Sequence, residues 1–326
     1  MIFPSRPWVR AARLGALALA LAALTPAASA QDDSVPPEEA EREILVSASP
    51  EDINRARSYI TALQVTAFNQ QAARWADPIC VGVTGTSRAI AERLAGRINA
   101  AAGQIGAKRA EAGCKPNLLV VFTQDASAFM AQTRRKSPER LQEVPKRREA
   151  FTFGTSAPVR WWYTTDVIGS DGRPLTAGAT GLVACGGPCA LPSLGPNVRS
   201  QNTYSSSIVR LPTIRRIINA VVVIDVPLAA GRAVDSLGDY AALVGLAEIW
   251  PTERPLPSGT ILGLFDRPPQ DGDDAPLLSP MDRRFLCELY RLPLDRTGLY
   301  HRSMLQRAVS LPQESCIDRA ENQGSK

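Results

Sequence analysis

Histidine is nearly absent from this 326-residue sequence, in which His301 is the only example. Zinc proteases need two or three His ligands on the metal, so the composition excludes a site of that kind. Ser-His-Asp and Cys-His hydrolases need a single His base beside a nucleophile and are still permitted. His301 follows Tyr300 and lies just past Gly298. We interpret it as a surface or helix-capping residue rather than a base.

Common catalytic and cofactor motifs are also missing. The sequence has no G-x-S-x-G, S-x-x-K, G-x-x-x-x-G-K or C-x-x-C pattern, and each of these would indicate a defined chemistry. Cys185 and Cys189 are separated by three residues, whereas a thioredoxin-like redox site needs two. The acidic cluster Asp271–Asp274 lacks the ligand spacing of an EF-hand loop and is interpreted as a solvated loop. We therefore expect no metal and no cofactor.

The N-terminus has the pattern of a Sec-type signal peptide. Arg6, Arg10 and Arg13 precede an apolar run from Leu14 to Leu24, and Ala28–Ala30 gives a small-residue cleavage site. The run is too short to span a bilayer, and no later run is long enough. We predict cleavage after Ala30 and a periplasmic or secreted protein.

Removing residues 1–30 takes away three of the 37 basic residues and none of the 32 acidic ones, which leaves 34 against 32 and a charge of about +2. The overall charge gives no sign of a nucleic-acid partner. The segment 133–149 is an exception, because it carries seven basic and three acidic residues. We interpret it as a solvated loop and short helix. The alternative is a site for an anionic envelope polymer or a phospholipid headgroup. Its basic residues would include Arg134, Arg135, Lys136, Arg147 and Arg148.

All six cysteines follow the predicted signal peptide, in a compartment that permits disulfides. Six cysteines allow 15 pairings. We predict that sequence neighbours pair: Cys80 with Cys114, Cys185 with Cys189, and Cys287 with Cys316.

The first of these pairings has a structural reason. Ile79–Val83 and Leu118–Phe122 are predicted strands on either side of a helix that begins near Ser87. Cys80 begins the first strand and Cys114 precedes the second. A bridge between them would tie adjacent strands at one end.

Two further helices are predicted to begin at the same S-P-x-D pattern, Ser49–Asp52 and Ser279–Asp282. In both, serine is a favoured N-cap and proline suits the first turn. Ser279–Asp282 also has the form of a capping box, with Asp in place of the usual Glu. Another helix is predicted at 228–248. Val159–Ile168 is predicted to be one arm of a hairpin, with Trp161 and Trp162 on opposite faces. We expect both to be packed, and the alternative is that one is exposed as a stacking platform for a sugar or peptide.

We predict one α+β domain over residues 46–318, a mixed sheet with packed helices held by disulfides. Long loops are expected at 131–158 and 176–204. A flexible, acidic lead-in precedes the domain at 31–45, and a tail follows it at 319–326.

The segment from Ile214 to Asp295 contains a buried strand and then the stretches DYAALVGLAEI, TILGLFD and LSPMDRRFLCELY. It resembles the C-terminal part of secreted proteobacterial zincin-like (metzincin-like) proteins of uncharacterised function. Active members of that family carry the zinc motif H-E-x-x-H-x-x-G on the corresponding helix, where two His bind zinc and the Glu activates water. The resemblance implies a zincin-like fold.

Setting Gly245 on the last position of that motif puts Gly238 and Ala242 at the two His positions and Asp239 at the Glu. Both metal ligands are missing, so we expect no zinc protease activity. We interpret Asp239 as a surface or hydrogen-bonded carboxylate.

The resemblance thus implies an exported, non-catalytic protein that binds an envelope protein or an anionic envelope polymer. The rival hypothesis is a glycan-directed hydrolase that uses paired carboxylates, because that chemistry needs no His. Its candidate residues are Asp239, Glu248 and Asp282, which would have to face one cleft.

Overall fold

The structure is a computed structural model. It describes residues 48–66, 69–142, 144, 146–153, 157–177, 199–200, 209–251, 258–266, 268 and 277–310. The predicted signal peptide, lead-in and C-terminal tail lie outside the described residues, as do Cys185, Cys189, Cys316 and the acidic cluster Asp271–Asp274. The described residues belong to one compact unit that begins at Val46.

Seven strands and seven α-helices are described in this unit. The strands are β1 (Arg74–Trp75), β2 (Val81–Thr84), β3 (Leu118–Thr123), β4 (Val159–Gly169), β5 (Thr176–Ala177), β6 (Arg199–Ser200) and β7 (Thr213–Asp225). The helices are α1 (Pro50–Leu63), α2 (Arg88–Gln104), α3 (Ala126–Lys136), α4 (Glu149–Phe153), α5 (Val234–Leu246), α6 (Pro280–Arg291) and α7 (Gly298–Ser310).

Strand β7 is the centre of a five-stranded mixed sheet. It pairs in parallel with β3 and, at its start, with β1, and it pairs antiparallel with β4. Strand β2 lies beyond β3 and is also parallel. The unit β2–α2–β3 is the strand–helix–strand unit expected from the sequence. The observed fold is therefore a mixed sheet with packed helices.

Helix α5 packs against one face of the sheet. Trp161 on β4 lies 6.1 Å, centroid to centroid, from Tyr240 on α5, and the Tyr163 hydroxyl donates to the Val244 carbonyl oxygen at 2.6 Å. Trp162 points to the opposite face, and both Trp side chains are buried. The prediction that both are packed is confirmed.

The disulfide between Cys80 and Cys114 is present, with Cα atoms 6.0 Å apart. It joins the segments that lead into β2 and β3, so this predicted pairing is confirmed. Cys287 is also disulfide-bonded, to a partner outside the described residues. Its pairing with Cys316 remains a prediction.

One predicted boundary is wrong, and both predicted long loops contain short regular elements. The helix expected at 228–248 begins only at Val234, because the chain first turns after β7, where the Asp225 carboxylate accepts from the Leu228 N–H at 3.2 Å. The loop expected at 131–158 contains the end of α3, two 3₁₀ turns and α4. Within the loop expected at 176–204, β5 and β6 pair with each other. Among the described helices, none is long and apolar enough to cross a membrane.

Candidate functional site

Helix α5, which carries the four positions aligned with the zinc motif, is buried along its length. Every residue from Ser236 to Leu246 is buried. A Cβ atom at Gly238 would lie 2.9 Å from the Cβ of Arg97, and one at Gly245 would lie 2.9 Å from a methyl group of Leu118. Ala242 has no exposed surface. Gly238, Ala242 and Gly245 are therefore closely packed, and α5 does not line an open cleft at these positions.

Asp239, which the resemblance sets at the motif's Glu, accepts three hydrogen bonds. The Arg97 guanidinium donates to both carboxylate oxygens, at 2.8 and 2.6 Å. The Leu278 backbone N–H donates to one of them at 2.9 Å. Asp239 is only 3% exposed. The interpretation as a hydrogen-bonded carboxylate is confirmed.

A second ion pair lies one helical turn earlier along both helices. Arg93 on α2 donates to both oxygens of Asp235 on α5, at 2.7 and 3.0 Å. The hydrogen bond from Arg93 lowers the pKa of Asp235. The hydrogen bond to Asp239 likewise raises the pKa of Arg97, although partial burial opposes it. Two Arg–Asp pairs at matching i, i+4 spacing therefore hold α2 against α5.

We expect the Arg97–Asp239 pair to contribute more to stability than the Arg93–Asp235 pair. A double-mutant cycle with Arg97→Met and Asp239→Asn should give a coupling free energy of about 1 kcal/mol or more, because one partner is buried. The same cycle with Arg93→Met and Asp235→Asn should give a smaller coupling, because solvent screens that pair. Urea unfolding of the unaltered protein and the six variants measures both. Equal couplings would contradict the structural assignment.

Asp282 is the most deeply buried of the three carboxylates proposed for hydrolysis, with no exposed surface. It accepts from the Tyr59 hydroxyl and the Thr260 hydroxyl, each at 2.7 Å. It also accepts from the backbone N–H groups of Ile261 at 2.9 Å and Ser279 at 3.1 Å. Burial, and then the charge of Asp282, raise the pKa of Tyr59 well above its usual value. Asp282 thus joins α1, α6 and the turn at Thr260.

Glu248 is held in a third environment. The Arg215 guanidinium donates to both of its oxygens, and the Trp250 indole N–H donates to one at 3.0 Å.

A cavity of about 800 Å³ lies between the N-termini of α1 and α6 and the end of α7. Asp52 is the only carboxylate in its described wall, so none of the three candidates is placed there. The paired-carboxylate hydrolase remains an untested hypothesis.

His301 is completely buried, and the surface or capping interpretation is wrong. The Ala72 backbone N–H donates to Nδ1 at 3.0 Å, so Nδ1 carries no proton. Nε2 therefore carries the proton and donates to the Pro293 carbonyl oxygen at 3.0 Å. Burial lowers the pKa of His301, although the bond to Pro293 opposes this in part. The residue is a neutral link between α7 and two loops.

This link predicts a loss of stability in mild acid. The folded-state pKa of His301 is below its ordinary value of 6.5. Its contribution is therefore complete above about pH 6.5 and is lost as the pH falls towards the folded-state pKa, with a slope of at most about 1.4 kcal/mol per pH unit. Urea unfolding between pH 7 and 5 measures this slope. The variant His301→Gln should lack it, and an unchanged slope in the variant would contradict the assignment.

The basic residues predicted from the segment 133–149 do not share one environment. Arg134, Arg135 and Lys136 are exposed in the last turn of α3. Arg148 is buried, donates to the Pro251 carbonyl oxygen at 2.5 Å and lies 5.7 Å from the centre of the Trp161 ring. Its assignment to an anion-binding surface is therefore wrong. The side chain of Arg147 lies outside the described part of the chain.

Over the described ranges, no group of three His, Cys, Asp or Glu side chains could hold a metal ion. No protein-family model, curated protein or solved structure matches this chain. Sequence reasoning did not find Arg97 as the partner of Asp239. The only available signal was the shared i, i+4 spacing of Arg93 and Arg97 on one helix and of Asp235 and Asp239 on the other.

Proposed function

We propose that this chain is an exported binding protein built on a zincin-like scaffold in which packed side chains have replaced the metal site. The observation that carries this proposal is the packing of α5. A metal-dependent hydrolase needs ligands that face an open coordination position for water. At the aligned positions, Gly238 and Ala242 are buried without room for imidazole rings, and Asp239 is bound to Arg97.

Export is supported by the predicted signal peptide at residues 1–30. The Cys80–Cys114 bridge is compatible with it, because stable disulfides are usual in exported proteins and rare in the cytosol. Binding to an envelope component is the function that we propose for such an exported protein without a metal site.

Zinc analysis of the purified protein tests the loss of the metal site. The chain beginning at Gln31 is incubated with an equimolar amount of zinc, dialysed and measured by elemental analysis. We expect far less than one zinc per chain, because no paired His ligands exist. A parallel sample of Asp239→Asn should give the same value, since Asp239 is already bound by Arg97. One tightly held zinc per chain would refute the proposal.

A further inference from the structure

Five exposed cations lie within one short stretch of the chain, at the end of α3 and in the 3₁₀ turns that follow it. We name this set the basic surface, and it consists of Arg134, Arg135, Lys136, Arg140 and Lys146. None of the five forms an ion pair with a carboxylate of the described residues, whereas exposed arginines such as Arg55, Arg88 and Arg93 do. Positive charge is thus left unneutralised in one short stretch of the chain.

The acids nearby do not balance this charge. Glu139 and Glu149 are the exposed acids described in the same stretch, so five cations against two anions leave +3. The helix dipole favours cations in the last turn of α3, which accounts in part for Arg134, Arg135 and Lys136. Arg140 and Lys146 lie beyond that helix, and its dipole does not explain them.

The burial of the apolar residues of α3 favours a soluble polyanion over a bilayer as the partner of the basic surface. A helix that lies on a membrane inserts an apolar face below the headgroups. The apolar residues Ala126 and Met130 of α3 are buried in the protein core and cannot insert into a membrane.

The arginines of the basic surface suit a phosphate group, because guanidinium groups bind phosphate through two parallel hydrogen bonds. Arg134 lies 5.2 Å from the centre of the Phe153 ring, a cation–π contact that restricts its side chain.

We propose that the basic surface docks a phosphate-bearing polymer of the cell envelope. This rests on the proposed export and binding function and names the chemical class of its partner. Attraction between several cations and a linear polyanion needs no preformed pocket, because much of the free energy comes from released counterions.

Binding to inorganic polyphosphate tests this proposal. The probe is fluorescently labelled, and its anisotropy is titrated with the chain beginning at Gln31 at about 50 and about 150 mM salt. The variant Arg135→Gln/Lys136→Gln/Arg140→Gln should raise Kd about tenfold or more, because each cation near a polyanion contributes several-fold in affinity. The slope of log Kd against log salt concentration should decrease by about two to three, because three cations have been removed.

The matched control removes three cations elsewhere: Arg57→Gln/Lys108→Gln/Lys115→Gln, all exposed and without an ion pair among the described residues. It should change Kd less than about twofold, since bulk charge alone acts weakly at these salt concentrations. Circular dichroism should show the same fold for all three proteins, because every altered side chain is exposed.

Three results would overturn the proposal: no binding by the unaltered protein, equal losses in both variants, or binding to phosphatidylglycerol vesicles without binding to polyphosphate. Zinc content is measured independently. If the protein holds zinc and also binds polyphosphate, only the proposed loss of the metal site is refuted. If it holds no zinc and does not bind polyphosphate, only the proposed partner is refuted.

Discussion

Replacing Asp282 with Ala should destabilise the protein by about 3–5 kcal/mol, since each buried donor left without an acceptor costs about 1–3 kcal/mol. Four donors lose their acceptor: the hydroxyls of Tyr59 and Thr260 and the N–H groups of Ile261 and Ser279. Some of them will regain water as the structure relaxes, which keeps the expected loss below the full sum. Urea unfolding at neutral pH measures the loss.

The matched control is Asp52→Ala, because Asp52 is the fourth residue of the other S-P-x-D pattern and lies at the same position in the first turn of α1 as Asp282 in α6. The Ser49 hydroxyl accepts from the Asp52 N–H at 3.1 Å, and the Asp52 side chain is about half exposed. Its replacement should cost only about 0.5 kcal/mol, since water replaces its partners. Similar losses at both positions would show that burial is not what gives Asp282 its importance.

Placing His at Gly238, as the zinc motif would require, should destabilise the protein by about 3 kcal/mol. Overpacking costs about 1–3 kcal/mol, and a buried imidazole without partners adds a similar amount. His has a higher helix propensity than Gly, which offsets less than about 1 kcal/mol of this cost. The physical cause is the 2.9 Å separation that a Cβ at this position would have from the Cβ of Arg97. Thermal and urea unfolding with and without zinc measure the effect.

Gly96→His is the control for this substitution. Gly96 is an exposed glycine in the middle of α2, and a Cβ there would meet no atom within 4 Å. This variant should be neutral, or more stable by up to about 1 kcal/mol, because glycine disfavours helix. If Gly238→His were as stable as Gly96→His, or were stabilised by added zinc, the site on α5 would not be closed by packing.

Sequence patterns were most informative where the determining contacts are close along the chain. The caps at Ser49 and Ser279 are confirmed because N-capping joins residues three positions apart. The Cys80–Cys114 bridge is also confirmed, because a strand–helix–strand unit places its two strands side by side. The error at His301 has the opposite cause. Its partners, Ala72 and Pro293, come from distant or irregular segments that no local spacing reveals.

The sequence by itself determined that a His-built metal site is excluded, since one His cannot supply the paired ligands. It also determined that Ser49–Asp52 and Ser279–Asp282 begin helices, because in both segments the serine hydroxyl accepts from the N–H of the residue three positions on. Only the tertiary structure decided what each acid does. Asp52 faces solvent, whereas Asp282 is enclosed by α1 and the turn at Thr260. Burial and long-range hydrogen bonds depend on which helices, strands and turns pack together, and local sequence does not specify that packing.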